Sequence, residues 1–152
     1  MIQIDTREQS PLVFGEHPTE FVKLDVGDYG LRGFSDWKNP AFICERKSVD
    51  DLVQSLIKDQ ERFWKEVLKM RQFRFAAILV ECCRERVAEG GYVSAAKPQC
   101  VLAMLDAIIV RCGVHVFWCG SPEGAAAQFL SLARQFCRGI EKDAKKLGAA
   151  GV

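Results

Sequence analysis

The segment Phe75–Val80 constrains the fold of this chain more than any other. It contains six consecutive apolar residues, Phe-Ala-Ala-Ile-Leu-Val. A strand with only one buried face alternates polar and apolar residues, whereas a strand covered on both faces is apolar throughout. The segment therefore predicts a central strand with helices packed on both faces of its sheet.

The elements around this strand indicate an α/β domain. Strands are expected first and are followed by helix, strand, helix, strand and helix, an order typical of a mixed central sheet flanked by helices. We expect a single domain over residues 1–147, followed by a frayed tail at 148–152. The other predicted strands span residues 1–5, 20–24, 29–33, 41–47 and 114–118, and the later helices span 98–112 and 121–138.

One long helix is predicted directly after the strand at 41–47. Ser48 followed by Asp51 resembles a capping box, and the helix is expected to end near Arg71 and Gln72. Its predicted apolar face comprises Leu52, Leu56, Phe63, Val67 and Met70, and a second, basic stripe comprises Lys58, Arg62, Lys65 and Lys69. Such a stripe is either a solvated face or a surface that contacts nucleic-acid phosphates.

Composition excludes some classes of protein. The net charge is +1, from 21 basic and 20 acidic residues, so a nucleic-acid partner would require a local basic surface. The N-terminus lacks the pattern of a signal peptide, and no apolar run is long enough to cross a bilayer. We therefore expect a soluble, intracellular protein, in the cytoplasm of a prokaryote or the nucleus of a eukaryote, with no membrane partner.

The cysteine pattern argues against a zinc site and against disulfides. None of the seven cysteines forms a Cys-x-x-Cys pair, and the two histidines, His17 and His115, lie far from any paired cysteine spacing. Without a secretion signal, a disulfide framework is not expected. Reduced thiols that pack in the core are the preferred interpretation.

Two carboxylates and one ammonium group suggest metal-dependent chemistry. Glu45 and Lys47 lie two residues apart on a predicted strand, so their side chains point to the same face. Asp28 follows Gly27 on a separate segment that the fold is able to bring alongside. Two carboxylates suit Mg²⁺, with Mn²⁺ as a substitute, and the backbone carbonyl of Arg46 is a further candidate ligand. Lys47 would orient the attacking water or help to deprotonate it, and would stabilise the negative charge of the pentavalent phosphate in phosphodiester hydrolysis.

The motifs together resemble the nuclease domain of the XPF family of structure-specific DNA endonucleases, within the PD-(D/E)XK superfamily. That family's pattern is Gly-Asp, a variable gap, Glu-Arg-Lys, three residues and Asp. Here it is matched by Gly27-Asp28, Glu45-Arg46-Lys47, Ser48-Val49-Asp50 and Asp51, with an upstream element at Asp5-Thr6-Arg7-Glu8. The resemblance extends from about residue 2 to residue 136. It implies a restriction-endonuclease-like mixed sheet flanked by helices.

The resemblance also implies a function. A member of this family would cut branched DNA (flaps, forks or junctions) with a divalent metal, in repair or recombination. It would dimerise with itself or a related chain through the helices at 98–112 and 121–138, whose abundant apolar residues exceed what one small sheet is expected to cover. No helix-hairpin-helix module follows within the 152 residues, so a standalone nuclease or an excised domain is expected.

Several candidate residues keep an alternative explanation. Asp51 is either part of the site or a helix cap. Asp5, Arg7 and Glu8 are site residues or an ordinary charged turn; Arg7 would clamp a phosphate or a carboxylate, and Glu8 would be a metal ligand or an outer partner. The candidate catalytic residues are Asp5, Arg7, Glu8, Asp28, Glu45, Arg46, Lys47 and Asp51; the candidate metal ligands are Asp28, Glu45, the Arg46 carbonyl and Glu8; the candidate DNA contacts are Arg7, Lys58, Arg62 and Lys65.

Two other functions remain open at this stage. A non-catalytic DNA-binding or scaffold subunit would pair with another nuclease and would not need the acidic residues, so their presence favours catalysis. A restriction-type enzyme of the same superfamily would cut linear duplex at a defined sequence.

Overall fold

The computed structural model of the protein describes residues 1–151, and Val152, the last residue of the predicted tail, lies outside the described residues. It contains eight strands and five helices in that range. The strands are β1 Ile2–Asp5, β2 Thr19–Val22, β3 Tyr29–Leu31, β4 Ser35–Asp36, β5 Asn39–Pro40, β6 Phe42–Lys47, β7 Phe75–Val80 and β8 His115–Trp118; the helices are α1 Val49–Ile57, α2 Gln60–Met70, α3 Arg84–Ala88, α4 Pro98–Cys112 and α5 Pro122–Ala149.

Six of the strands form one mixed sheet in the order β2-β1-β3-β6-β7-β8, and β4 and β5 form a separate hairpin. β3 pairs antiparallel with β1 and β6, whereas all other pairs in the large sheet are parallel. The carboxyl ends of β1 and β6 therefore meet the amino end of β3 at one edge of the sheet. This topology determines where the candidate site lies.

The sheet is covered on both faces, as the apolar strand predicts. β7 lies between β6 and β8, and Ala76–Val80 are buried. On one face Ile78 and Val80 pack with the buried sides of α1, α2 and α4. On the other face Ala77 and Leu79 pack with Phe129 of α5. The α/β fold with helices on both faces is thus confirmed.

The predicted long helix after Ser48 is wrong in one respect, because the structure divides it into α1 and α2. Lys58 and Asp59 separate them. Asp59 leaves helical backbone geometry (φ −103°, ψ 30°), and its carbonyl accepts the N–H of Phe63 at 2.9 Å, which starts α2. Aspartate is a poor residue for a helix interior because its side chain competes for backbone hydrogen bonds. The apolar positions recur in phase across the break, so periodicity alone does not reveal it.

Two other elements differ from expectation. The short helix α3 was not predicted, since five residues are too few to show a helical period. α5 extends to Ala149, well beyond residue 138, and includes two residues of the predicted tail. The expected signals do occur at the ends of the late helices: Gly113 ends α4 at φ +64°, and the Ser121 hydroxyl accepts the Gly124 N–H at 2.9 Å.

All seven cysteines are free thiols. Cys44, Cys82 and Cys112 are buried as predicted, but Cys83, Cys100 and Cys137 are exposed, so the assignment of the cysteines to the core is wrong for those three. Within the described residues, no helix combines the length and apolar character needed to span a membrane.

Candidate active site

The site is assembled where three strands meet at one edge of the sheet. Asp5 ends β1, Asp28 immediately precedes β3, and Glu45 to Lys47 end β6. Backbone hydrogen bonds hold these ends together: the Asp5 N–H donates to the Asp28 carbonyl, and the Asp28 N–H donates to the Cys44 carbonyl, both at 2.9 Å. Residues remote in the sequence are thus brought to one place.

Asp28 is fixed against β6 by its own side chain and by Gly27. The Asp28 Oδ2 accepts the backbone N–H of Arg46 at 2.8 Å. Gly27 adopts φ +74°, and a Cβ placed there would lie 2.6 Å from Cγ1 of Ile43. Only glycine satisfies both the left-handed backbone and the close approach, so the Gly27-Asp28 pair is required by the geometry that orients the carboxylate.

Glu45 and Lys47 share one face of β6, as predicted. The Lys47 Nζ lies 3.7 Å from Oε1 of Glu45, and the side chains of Lys47 and Glu45 are 17% and 20% exposed. Lys47 also donates to the Ser55 hydroxyl of α1 at 3.0 Å and lies over the Phe63 ring of α2, 5.2 Å from its centroid. α1 and α2 therefore hold the ammonium group in one position.

Asp28 and Glu45 form a repulsive pair. Burial raises the pKa of Glu45, and the negative charge of Asp28 raises it further. The pKa of Asp28 is also raised, first by burial and then by the charge of Glu8, against the opposing effects of the Arg46 hydrogen bond and of Lys47. One ammonium group does not balance this concentration of negative charge, so a cation at this position would relieve the repulsion.

Asp5 has a structural task that its burial makes clear. Its side chain is 0% exposed, and it accepts the Leu24 N–H at 2.8 Å and the Arg7 N–H at 2.9 Å. Burial acts to raise its pKa, but these bonds and the Arg7 guanidinium outweigh burial and lower the pKa. The Asp5 carboxylate is saturated by protein donors and is not available to a metal.

Arg7 clamps a carboxylate, one of the two predicted alternatives. Its Nε lies 2.6 Å from Oδ1 of Asp5, and its Nη2 lies 3.2 Å from Oδ2. The side chain is nevertheless 67% exposed. The hydrogen bond to Asp5 raises the pKa of Arg7, and the charges of Asp5, Asp28 and Glu45 raise it further. A guanidinium held in this way has free donors beside the two carboxylates.

Arg46 points to the opposite face of β6 and braces other carboxylates there. It forms ion pairs with Glu81 and Glu8 and donates to the Ser10 carbonyl. Tyr29 donates its hydroxyl to Glu8 at 2.6 Å. Glu8 is thus tied to this second face rather than free to point between Asp28 and Glu45.

Asp51 does not reach the carboxylate pair. Its backbone N–H donates to the Ser48 hydroxyl at 3.2 Å, so Ser48 is the helix cap. The Asp51 side chain is exposed and lines a small cavity of about 210 Å³ together with Glu8, Arg46 and Glu81. This cavity lies on the Arg46 side of the strand.

The predicted basic stripe lies next to the carboxylate pair. Phe63 of α2 contacts Lys47, and Glu66 is close enough to act on the charge of Glu45. A groove on the same helix is lined by Lys58, Arg62, Lys65, Lys69, Asp59, Glu61, Glu66 and Leu68. Lys65 pairs with Glu61 at 3.3 Å and Lys69 with Glu66 at 3.1 Å. Exposed pairs of this kind are weak, so both lysines are available to another anion.

The donor set fits a hard cation that retains water. Within residues 1–151, no group of three or more His, Cys, Asp or Glu side chains is arranged to hold a metal ion. The available oxygens are those of Asp28 and Glu45, together with the Arg46 carbonyl, which belongs to the same strand end as the Arg46 N–H that Asp28 accepts. Mg²⁺ is commonly bound through one or two carboxylates and several waters.

Sequence reasoning missed three side chains around the site. Ser55 holds Lys47, the Tyr29 hydroxyl holds Glu8, and Glu81 holds Arg46. One signal was visible for Glu81: it is the first charged residue after the apolar strand Phe75–Val80 and therefore sits at the edge where β6 also ends. Tyr29 and Ser55 carry no comparable signal in the sequence.

Comparison with known proteins gives a consistent result. The family model of the ERCC4 domain matches residues 4–132. The structure is similar to XPF from Aeropyrum pernix, with a TM-score of 0.67 and 22% identity over 88% of this chain and 60% of that one. It is also similar to XPF from Aeropyrum pernix in complex with DNA, with a TM-score of 0.65 and 21% identity over 91% of this chain and 65% of that one. This chain thus spans less than two thirds of those proteins. No curated protein sequence matches it.

Proposed function

The chain belongs to the ERCC4 domain family, and on that premise we propose that it is a metal-dependent endonuclease that hydrolyses DNA phosphodiester bonds at branched structures. The observation that carries the proposal is the meeting of Asp28, Glu45 and Lys47 at one edge of the sheet. Carboxylates and an ammonium group in this arrangement match what hydrolysis of a phosphodiester requires.

Some of these residues would hold the metal ion, and Lys47 would position the attacking water. Asp28 and Glu45, with the Arg46 carbonyl, would hold Mg²⁺ or Mn²⁺. When bound, that ion supplies charge neutralisation at the scissile phosphate and acidifies a water. Lys47 orients the attacking water and stabilises the negative charge that develops on the phosphate. Its ammonium is ready for this task because Ser55 and Phe63 hold it.

Arg7 and the basic stripe position the DNA. Arg7 presents its exposed guanidinium beside the carboxylates while Asp5 fixes its other side, and a planar guanidinium suits a phosphate. Lys58, Arg62 and Lys65 lie on the adjoining groove. Contacts of this kind position a backbone rather than read its sequence. This agrees with selection of DNA by its shape, and the similarity to an XPF that is described in complex with DNA supports DNA as the substrate.

A dimer through α4 and α5 is part of the proposal. Most of the apolar residues on these helices pack against their own sheet, but Ile109 and Val110 of α4 remain 41% and 83% exposed. These two side chains are the apolar surface that the dimer would cover on α4. Sedimentation of the wild type and of an Ile109→Asp variant tests it: dissociation of a dimer is expected, and a monomeric wild type contradicts it.

Cleavage of labelled flap, fork and linear duplex DNA tests the proposed activity. We expect cleavage of the branched substrates with Mg²⁺ or Mn²⁺, and loss of cleavage with a chelator or in Asp28→Ala. Glu89→Ala, which removes an exposed carboxylate at the end of α3, is the matched control and is expected to cut normally.

Two outcomes would contradict the proposal. If the metal-loaded protein leaves every branched, single-stranded and duplex substrate intact, the chain is not an active nuclease. Sequence-dependent cleavage of linear duplex would instead indicate a restriction-type enzyme.

A further inference from the structure

Glu81 lies beside the candidate site, and packing in the core does not explain why a charged side chain is buried there. It directly follows β7, and its N–H donates to the Lys47 carbonyl at 2.9 Å. Its carboxylate is only 10% exposed and pairs with Nε of Arg46. Charged side chains are seldom buried unless a specific partner holds them. The Glu81–Arg46 pair therefore holds the Arg46 side chain in a defined position.

Arg46 connects Glu81 to the loop after β1. Its Nη1 lies 3.3 Å from Oε2 of Glu8, and it also donates to the Ser10 carbonyl. The same Glu8 oxygen accepts the Tyr29 hydroxyl at 2.6 Å, and the Leu12 N–H donates to that hydroxyl at 2.9 Å. A continuous chain of polar contacts thus runs from the end of β7 to the loop that carries Arg7 and Glu8.

This chain of contacts acts on the site from the other face of β6. Arg46 points away from Glu45 and Lys47, so its guanidinium does not face the reacting phosphate. The charge of Glu8, however, acts on both Asp28 and Glu45. Without Glu81, Arg46 would lose its partner on the β7 side and would no longer be fixed beside Glu8 and the Ser10 carbonyl. Among the described residues, Tyr29 would remain the one side chain that holds Glu8 in place.

We propose that Glu81 is a positioning residue of the nuclease site: through Arg46 it fixes the Glu8 carboxylate and the Arg7–Leu12 loop beside Asp28 and Glu45. The inference rests on the proposed function for its effect on cleavage, whereas its effect on the loop is independent of any activity. Partners behind the ligating residues of a metal site commonly change affinity or activity by about 10- to 100-fold when removed.

The kinetic test compares Glu81→Ala, Glu81→Gln, Glu8→Gln and the double variant Glu8→Gln/Glu81→Ala. Glu81→Ala should lower kcat by about 10-fold or more. It should change KM much less, because Glu81 does not face the DNA and Arg7, the DNA contact on the loop, keeps its own pair with Asp5. Glu81→Gln keeps an acceptor for Arg46 and should recover part of the rate. Because Glu81 acts through Glu8, the double variant should be no slower than Glu8→Gln alone. Glu20→Gln, which removes the negative charge from the Glu20–Arg32 ion pair, is the control and should cut normally.

Amide hydrogen exchange of the metal-free protein provides a readout that does not depend on activity. The Leu12 amide, which the Tyr29 hydroxyl holds, should exchange faster in Glu81→Ala and not in Glu20→Gln. The Leu24 amide, which Asp5 holds at 2.8 Å, should be unchanged in both variants.

The results separate this inference from the proposed function. If the wild type cuts no DNA, the proposed function fails, and the Leu12 exchange still decides whether Glu81 positions the loop. Unchanged Leu12 exchange overturns the inference. So do additive losses of rate in the double variant, or equal losses in Glu81→Ala and Glu81→Gln.

Discussion

At the scale of single residues, Lys47 is the residue whose chemical role can best be tested without disturbing the fold. Its ammonium is held by Ser55 and lies over Phe63 beside Glu45. The Lys47 side chain is only 17% exposed, and its charge lies 3.7 Å from the Glu45 carboxylate. A substitution that removes the charge of Lys47 and keeps an unbranched side chain thus tests its chemical role separately from its packing.

We expect Lys47→Met to lower kcat by about 100-fold or more, because positioned groups that assist proton transfer contribute about 10²- to 10⁴-fold. Folding and DNA affinity measured in chelator should stay close to the wild type. Single-turnover cleavage, thermal unfolding and fluorescence anisotropy measure the three quantities. Lys38→Met, at an exposed position of the β4–β5 hairpin, is the control. Full activity of Lys47→Met, or its failure to fold, would contradict the assigned role.

At the scale of elements, the junction between Gly27 and β3 sets the position of Asp28. A side chain at residue 27 would need φ +74° and would approach Cγ1 of Ile43 to 2.6 Å and the Cys44 carbonyl to 3.0 Å. Gly15 has a similar φ of +61°, but a Cβ added there would have no atom within 4 Å. The two glycines therefore separate backbone strain from crowding.

Gly15→Ala should cost about 1 kcal/mol of unfolding free energy from the left-handed backbone alone. Gly27→Ala should cost at least about 2 kcal/mol, since crowding adds to the same strain, and should reduce cleavage by displacing Asp28. Urea unfolding and the cleavage assay measure both effects. Equal destabilisation by the two substitutions would show that contact with β6 does not hold this junction.

Helix α2 carries two of the predicted DNA contacts, Arg62 and Lys65, on its exposed side. Arg62→Ala/Lys65→Ala should weaken DNA binding and make its dependence on salt concentration shallower, because fewer counterions are released. Lys142→Ala/Lys145→Ala removes two exposed charges from α5 and should leave the salt dependence unchanged. Anisotropy titrations over a series of salt concentrations measure this slope. An unchanged slope in the α2 variant would remove that helix from the DNA surface.

Local patterns predicted the elements better than their junctions. The apolar run Phe75–Val80 and the helix-end signals at Gly113 and Ser121 depend on neighbouring residues, so the sequence displays them. The break at Asp59 preserves the apolar phase, and the five-residue α3 is too short to show one. The sequence overestimates the apolar surface that α4 and α5 leave uncovered, because Val101, Leu105 and Phe129 pack in the core of their own domain.

At the scale of the whole molecule, the mixed sheet creates the site. A single antiparallel strand, β3, places its amino end between the carboxyl ends of β1 and β6. The order of motifs along the chain predicted which residues belong together, and strand alternation predicted that Glu45 and Lys47 share one face. Neither pattern predicted that Glu8 is tied to the other face. The ion pairs of Arg46 lie on the opposite face of β6 from Glu45 and Lys47, and they join residues up to 73 positions apart, from Glu8 to Glu81. No local spacing in the sequence therefore indicates them.

The repulsion between Asp28 and Glu45 also affects the stability of the whole protein. Burial raises the pKa of both groups in the folded state, to about 6 for Asp28 and about 8 for Glu45, and the charge of Asp28 raises the pKa of Glu45 further. The folded protein therefore binds more protons than the unfolded chain between about pH 4 and these folded pKa values. Stability contributed by these groups is therefore greatest at low pH and falls as pH rises towards the folded pKa values.

In the metal-free protein, Glu45→Gln should raise the unfolding free energy relative to the wild type at about pH 8, and much less at about pH 5. Urea unfolding at both pH values, with chelator present, measures the difference. Glu20→Gln on β2 is the control and removes a charge-paired carboxylate instead. A Glu45→Gln effect that does not grow with pH would show that the two carboxylates do not oppose each other.

Anomalous diffraction from crystals soaked in Mn²⁺ would show directly whether Asp28 and Glu45 hold a common cation. We predict an anomalous peak within bonding distance of both carboxylates, with Lys47 at its side, and the loss of this peak in crystals of Asp28→Ala. The absence of a peak between these two carboxylates, or a peak that persists without Asp28, would contradict the proposed metal site.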